Sequence, residues 1–214
     1  MKKFIVLTVL FALPIIAYLF FASGKNNFAR LPVLTENVKE ISSFENLQEQ
    51  PVSFKNNISV VAFFGSDLEE IKGYTFNLDQ EILEKYYSFK DFQFVILVPE
   101  AAKDKVRDFV QEFGKIGSAE QWKFVFAKPE EIKAVFGSME TSHSLDENLY
   151  SPYVFIIDKD GNLRGRNDDK DHGVLYGYDS RSVAELNNKM NDDVKVILAE
   201  YRLALKKYKA DRKY

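Results

Sequence analysis

The chain has 214 residues, 46% of them apolar, enough for one well-cored domain with an appendage. Its 29 basic and 32 acidic residues nearly cancel to a formal charge of −3, so no basic field marks a nucleic-acid surface. Cysteine is absent, which excludes disulfides, thiolate nucleophiles and lipid attachment through an N-terminal cysteine.

Met1-Lys2-Lys3 precedes an apolar run from Phe4 to Ala22, broken only by Thr8 and Pro14. That is roughly the 20 residues a helix needs to cross the hydrocarbon layer, and membrane helices accept proline. A cleaved signal peptide is the competing reading, helped by the small residues Ala22, Ser23 and Gly24. Its apolar core normally spans only about 7–15 residues, so length favours an uncleaved anchor over residues 1–24. Lys2 and Lys3 favour a cytoplasmic N-terminus, against a weaker pull from Lys25 and Arg30. Under either reading the remainder is exported.

Residues 25–38 are polar and aperiodic and read as a linker to a domain over 39–214. Ile41 to Phe54 predicts an N-terminal hairpin. Ile58 to Phe64 predicts a buried strand that breaks at Gly65-Ser66 into a loop, with a helix from about Leu68 to Tyr87. Asp91 to Val98 is largely apolar, as in a strand covered on both faces. Ala101 to Phe113 has a helical stripe of Val106, Phe109, Val110 and Phe113, and Trp122 to Ala127 predicts a short strand. Pro129-Glu130-Glu131 starts another helix, with proline in the first turn and carboxylates at the positive end of its dipole. Tyr153 to Ile157, the turn Asp158-Lys159-Asp160-Gly161, and Leu163 onward predict a hairpin. Ser182 and Glu185 form a capping-box pattern ahead of a long amphipathic helix through Val194, Ile197 and Tyr201. Strands alternating with helices, closed by a hairpin, predict an α/β domain of three layers.

This order looks thioredoxin-like, and the chain resembles the Sco/SenC family. Val60-Val61-Ala62-Phe63-Phe64, Ser151-Pro152 leading into Val154-Phe155-Ile156-Ile157-Asp158, and the single anchor with its linker carry the resemblance. It implies a membrane-anchored, periplasm-facing protein of the bacterial inner membrane, in a family involved in copper delivery to cytochrome oxidase. Signal cleavage would instead yield a secreted form. The family's first cysteine falls on Asp67, its second on Ile71, and its ligand histidine near Tyr150. A thiolate is both the nucleophile of disulfide exchange and a soft copper(I) ligand, and these residues supply neither. Pro152 sits where thioredoxin-like folds place a cis-proline; an ordinary trans proline is the alternative.

Asp67, Glu69 and Glu70 suit either a hard cation or plain helix-start chemistry, and capping explains them with fewer assumptions. His143 and His172 are the only histidines; with Asp67 and nearby carboxylates they make up the candidate for a divalent-metal site. Arg164, Arg166, Tyr176 and Tyr178 are residue types enriched at interfaces and form a candidate interaction surface. No Ser/His/Asp grouping or phosphate-binding glycine loop stands out. The expectation is a non-catalytic binding or assembly factor without cofactor, with a protein partner of unknown identity and a membrane contact through the N-terminal helix.

Overall fold

The computed structural model describes residues 2–23, 30–47, 51–69, 71–115 and 122–211, with the side chains of 2, 5, 20–23 and 205–211 outside the description. An eight-stranded sheet has the order β1 (Val33–Thr35), β7 (Leu163–Arg164), β6 (Tyr153–Ile157), β3 (Ile58–Phe63), β4 (Phe92–Pro99), β5 (Trp122–Ala127) and β2 (Glu45–Asn46). A further strand, β10 (Tyr178–Asp179), pairs with β6, while β8 (Arg166–Asp169) and β9 (Gly173–Leu175) form a separate ribbon. The central β3, β4 and β5 are parallel, and β6 joins β3 antiparallel.

The period of two in the central strands builds the three layers. Val60, Ala62, Phe94, Ile96, Phe124 and Ile156 enter one apolar cluster; Val61, Phe63, Val95, Leu97, Val125 and Phe155 enter the other. The first is covered by α2 (Lys72–Leu78), α4 (Lys103–Phe113) and α7 (Asn191–Asp211), the second by α5 (Pro129–Gly137). With both faces covered, every residue of β3 and β4 is buried.

The hairpin β6–β7 forms as its turn residues predict. Gly161 adopts φ +85°, and the Asp158 carboxylate accepts the N–H groups of Asp160 and Asn162. The expected helix over 129 onward also forms, the Glu131 carboxylate accepting the Lys128 N–H. At Ser182, which caps α6 (Val183–Glu185), only half of the capping box closes. Its hydroxyl accepts the Glu185 N–H, but the Glu185 carboxylate reaches the Asp179 N–H instead.

Three expectations are corrected. Ile41 to Phe54 does not form a hairpin: β2 pairs with β5 at the sheet edge, and residues 51–54 form no strand. The Glu40 carboxylate holds the returning segment, accepting from Ile41 N–H, Phe54 N–H, Ser53 Oγ–H and Lys55 N–H, so no ladder is needed. Residues 48–50 of that expectation lie outside the description. The linker ends sooner than expected, because Leu31 is buried and β1 begins at Val33; residues 24–29 lie outside the description. The helix expected from Leu68 starts at Lys72 and passes through a π-helical turn, Asp79–Leu83, into α3 (Glu84–Tyr86). Ahead of it the Asp67 carboxylate accepts the Glu69 N–H, a local turn that competes with a helical start.

Ahead of the domain, α1 (Lys2–Ser23) is one helix containing Pro14. Among the described residues no helix is long and apolar enough to cross a membrane.

Candidate functional site

Phe64 ends the β3 region with a bridge to Tyr150, and the Ser151 N–H donates to the Phe63 carbonyl. Between them the chain turns at Gly65, φ +64°, where an added Cβ would stand 2.5 Å from the Asn148 carbonyl oxygen. Glycine is therefore required twice over, by conformation and by space. The facing loop is braced by Asp146, whose carboxylate accepts the N–H groups of Asn148 and Tyr150. A carboxylate holding its own downstream backbone in this way is the usual Asx-type turn.

These two loops enclose a pocket of about 150 Å³, lined by Phe64, Asp67, Ile71, Tyr74, Asp146, Asn148, Tyr150 and Arg181. Asp67, Ile71 and Tyr150, onto which the resemblance carries the family's metal ligands, all line it. Asp67 is exposed, and its carboxylate accepts the Glu69 N–H at 3.2 Å, a local turn rather than the cap of α2. Ile71 is buried, and its carbonyl accepts from Thr75 Oγ1–H and N–H. The Tyr150 hydroxyl is buried without a hydrogen-bond partner among the described residues. Burial pushes that phenol up to about 12, against the opposing pull of Arg181, so it stays protonated near neutrality. The Arg181 guanidinium is itself held by both carboxylate oxygens of Asp179.

An unpartnered buried hydroxyl carries a desolvation penalty of about 1–3 kcal/mol. Tyr150→Phe keeps the ring and removes that group, so a stability gain of about 1 kcal/mol is expected in urea denaturation. A loss would reveal a partner for the oxygen.

Pro152 is corrected: its peptide bond is trans, there being no cis bond among the described residues. In this arrangement its carbonyl accepts both the N–H and the Oγ–H of Ser180, tying the start of β6 to the end of β10. The expected interaction surface also dissolves. Arg164 and Tyr178 are buried, and Arg166 pairs with Asp193, which also accepts from the Tyr178 hydroxyl. Tyr176 packs half-buried against the second apolar cluster. Arg164, buried, and Arg166, half-buried, each keep a carboxylate partner, as a charge taken out of water requires.

The two histidines do not gather with Asp67. No group of three or more His, Asp or Glu side chains able to hold a metal ion occurs among the described residues, so the candidate set of His143, His172 and Asp67 does not assemble. His143 is half-buried rather than exposed, stacked on Tyr153 with ring centroids 3.6 Å apart. Burial first, then His172, lower the His143 imidazole below its ordinary 6.5, and Asp179 opposes them. Between the ordinary and the lowered value the unfolded chain binds more protons, so stability rises with pH across that window. The contribution is complete above about 6.5 and declines as pH falls through the lowered value. His143→Gln is expected to flatten that limb of the urea midpoint against pH. An unchanged limb would assign it to other groups.

Tyr74, Asp146, Asn148 and Arg181 were not singled out by sequence reasoning. Asp146 and Asn148 carry a turn signal, but nothing local marks Arg181, which arrives from 31 positions beyond Tyr150.

Comparison with solved structures decides the fold. BsSco, a member of the Sco family of cytochrome c oxidase assembly proteins, is 16% identical with a TM-score of 0.52, covering 78% of this chain and 94% of that one. A SCO1/SenC family lipoprotein from Bacillus anthracis str. Ames is 18% identical with a TM-score of 0.56, covering 82% and 99%. The chain is thioredoxin-like and resembles the Sco/SenC proteins. A putative electron transfer protein from Aquifex aeolicus VF5 shares the fold at 14% identity and a TM-score of 0.53, covering 77% and 97%. No protein-family model and no curated protein matches the chain. The Sco-like layout thus accompanies a cysteine-free pocket.

Proposed function

We propose that this protein is a membrane-anchored, exported, Sco-like scaffold that works without a redox or copper centre, as a non-catalytic binding or assembly factor. The observation that carries this reading is the pocket itself. The positions aligned with two thiols and an imidazole converge there as Asp67, Ile71 and Tyr150, so the shape of a site is kept and its soft ligands are gone. What lines it instead is a mixed wall, Phe64, Ile71, Tyr74 and Tyr150 beside Asp67, Asp146, Asn148 and Arg181, whose polar groups converge on one hollow.

Anchoring is supported by α1, where Phe4, Phe11, Ile16 and Tyr18 are exposed, at 78, 65, 64 and 72%. A helix apolar all round needs an apolar surround. The described side chains stop at Leu19, while the sequence stays apolar through Phe20, Phe21 and Ala22.

The test is a titration of the full chain in detergent with copper(I) and copper(II) against a competing chelator. No one-to-one binding is expected, and tight stoichiometric uptake would overturn the reading. A photo-crosslinker at Tyr74 should then capture a discrete partner that one at Glu130, on α5, does not.

A further inference from the structure

At the opposite end of the sheet from the pocket, two adjoining hollows of about 240 and 190 Å³ share Phe89, Leu198 and Arg202. The larger lies at Ile58 and Asp91, where β3 and β4 begin, about 20 Å along the strand from Phe64. Their surroundings combine apolar and cationic groups. Phe89 and neighbouring Tyr87 are exposed, at 40 and 58%. Lys159 and Lys195 are held by Asp91 and Asp192, but Lys90 and Arg202 enter no ion pair among the described residues. Beyond Arg202 the sequence adds Lys206, Lys207, Lys209, Arg212 and Lys213.

The domain's first described residues are tied to α7, the helix that lines this groove. The Arg164 guanidinium donates to the Leu31 carbonyl and to Glu200, the residue before the groove's Tyr201. Eight residue steps separate Leu31 from Ser23, the last residue of α1, a contour of at most about 29 Å. If α1 is embedded, the groove cannot travel far from the bilayer.

We propose that this groove is a docking surface for the anionic lipid bilayer in which α1 is embedded, with Tyr87 and Phe89 at the headgroup level and Lys90 and Arg202 on lipid phosphates. Exposed aromatics and unpaired cations are the chemistry of an interfacial contact, and each basic residue near an anionic surface contributes about 1 kcal/mol. Docking holds the domain at one end, so that the pocket opens away from the membrane toward an exported partner. The proposal rests on the anchored reading above.

Because the chain has no cysteine, a single introduced one carries a unique spin label. The full chain is reconstituted into vesicles of phosphatidylcholine, alone or with one quarter phosphatidylglycerol, bearing Leu10→Cys, Tyr87→Cys or Glu130→Cys. The Leu10 label should lie in hydrocarbon in both. The Tyr87 label should move to interfacial depth only with phosphatidylglycerol, while the Glu130 label stays aqueous. Adding Lys90→Ala and Arg202→Ala should lower the docked-to-free ratio about 30-fold, two contributions of about 1 kcal/mol. An aqueous Tyr87 label beside a buried Leu10 label would overturn the docking proposal, keep the anchor, and leave the groove to an acidic protein segment. An aqueous Leu10 label would overturn the anchor and the docking together.

Discussion

Arg164→Met is expected to destabilise the domain by about 3–5 kcal/mol, read as a lower urea midpoint with an unchanged slope. Arg164 is buried in the hairpin strand β7, and its guanidinium has three acceptors on three separate parts of the fold. It donates to Asp158 at 2.8 Å, to Glu200 on α7 at 2.6 Å, and to the Leu31 carbonyl at 2.8 Å. Burial disfavours the cation, but the hydrogen bond to Asp158 and the field of Glu200 outweigh it and hold the group above its ordinary value. Removing the arginine strands one Asp158 oxygen as an unpaired charge in a side chain only 1% exposed. Glu200, more exposed, relaxes into solvent. Asp158→Asn in the Arg164→Met background should therefore restore part of the loss, since the amide oxygen still accepts from Asp160 and Asn162 while the charge is gone. If the single change costs under about 1 kcal/mol, the buried network is not what joins these elements.

The triple change Asp67→Cys, Ile71→Cys and Tyr150→His should install a one-to-one copper(I) site where none is expected. The pocket brings these positions together, and two thiolates with an imidazole form a donor set suited to a soft cation. Ile71 is buried and Tyr150 half-buried, so cysteine and histidine fit within the volumes they replace. Competition with a chelator measures the gain, and the double cysteine change alone should bind more weakly. A triple variant that folds, by circular dichroism, yet binds no copper(I) would mean that the three positions do not correspond to a ligand set.

The layers were legible because they follow from local pattern. The continuous apolar run Val60-Val61-Ala62-Phe63, which marks a strand buried on both faces, and the turn at Asp158-Lys159-Asp160-Gly161 are written in neighbouring residues, and both formed as read. So was the position of the pocket, since a strand ending at Gly65 marks it directly. What failed was every inference from residue type to surface role. Arg164, Arg166 and Tyr178 looked like interface residues, yet their partners Glu200 and Asp193 lie 36, 27 and 15 positions away. Pro152 is trans and braced by Ser180.

Period, turn chemistry and the missing cysteine belong to the one-dimensional chain, so residue order alone specified the α/β layers and removed thiol chemistry. Burial of a charge is different, because it depends on whether folding delivers a counter-charge from a distant element. That delivery turned a row of arginines and tyrosines into internal braces, and it set Arg181 beside Tyr150 in the pocket.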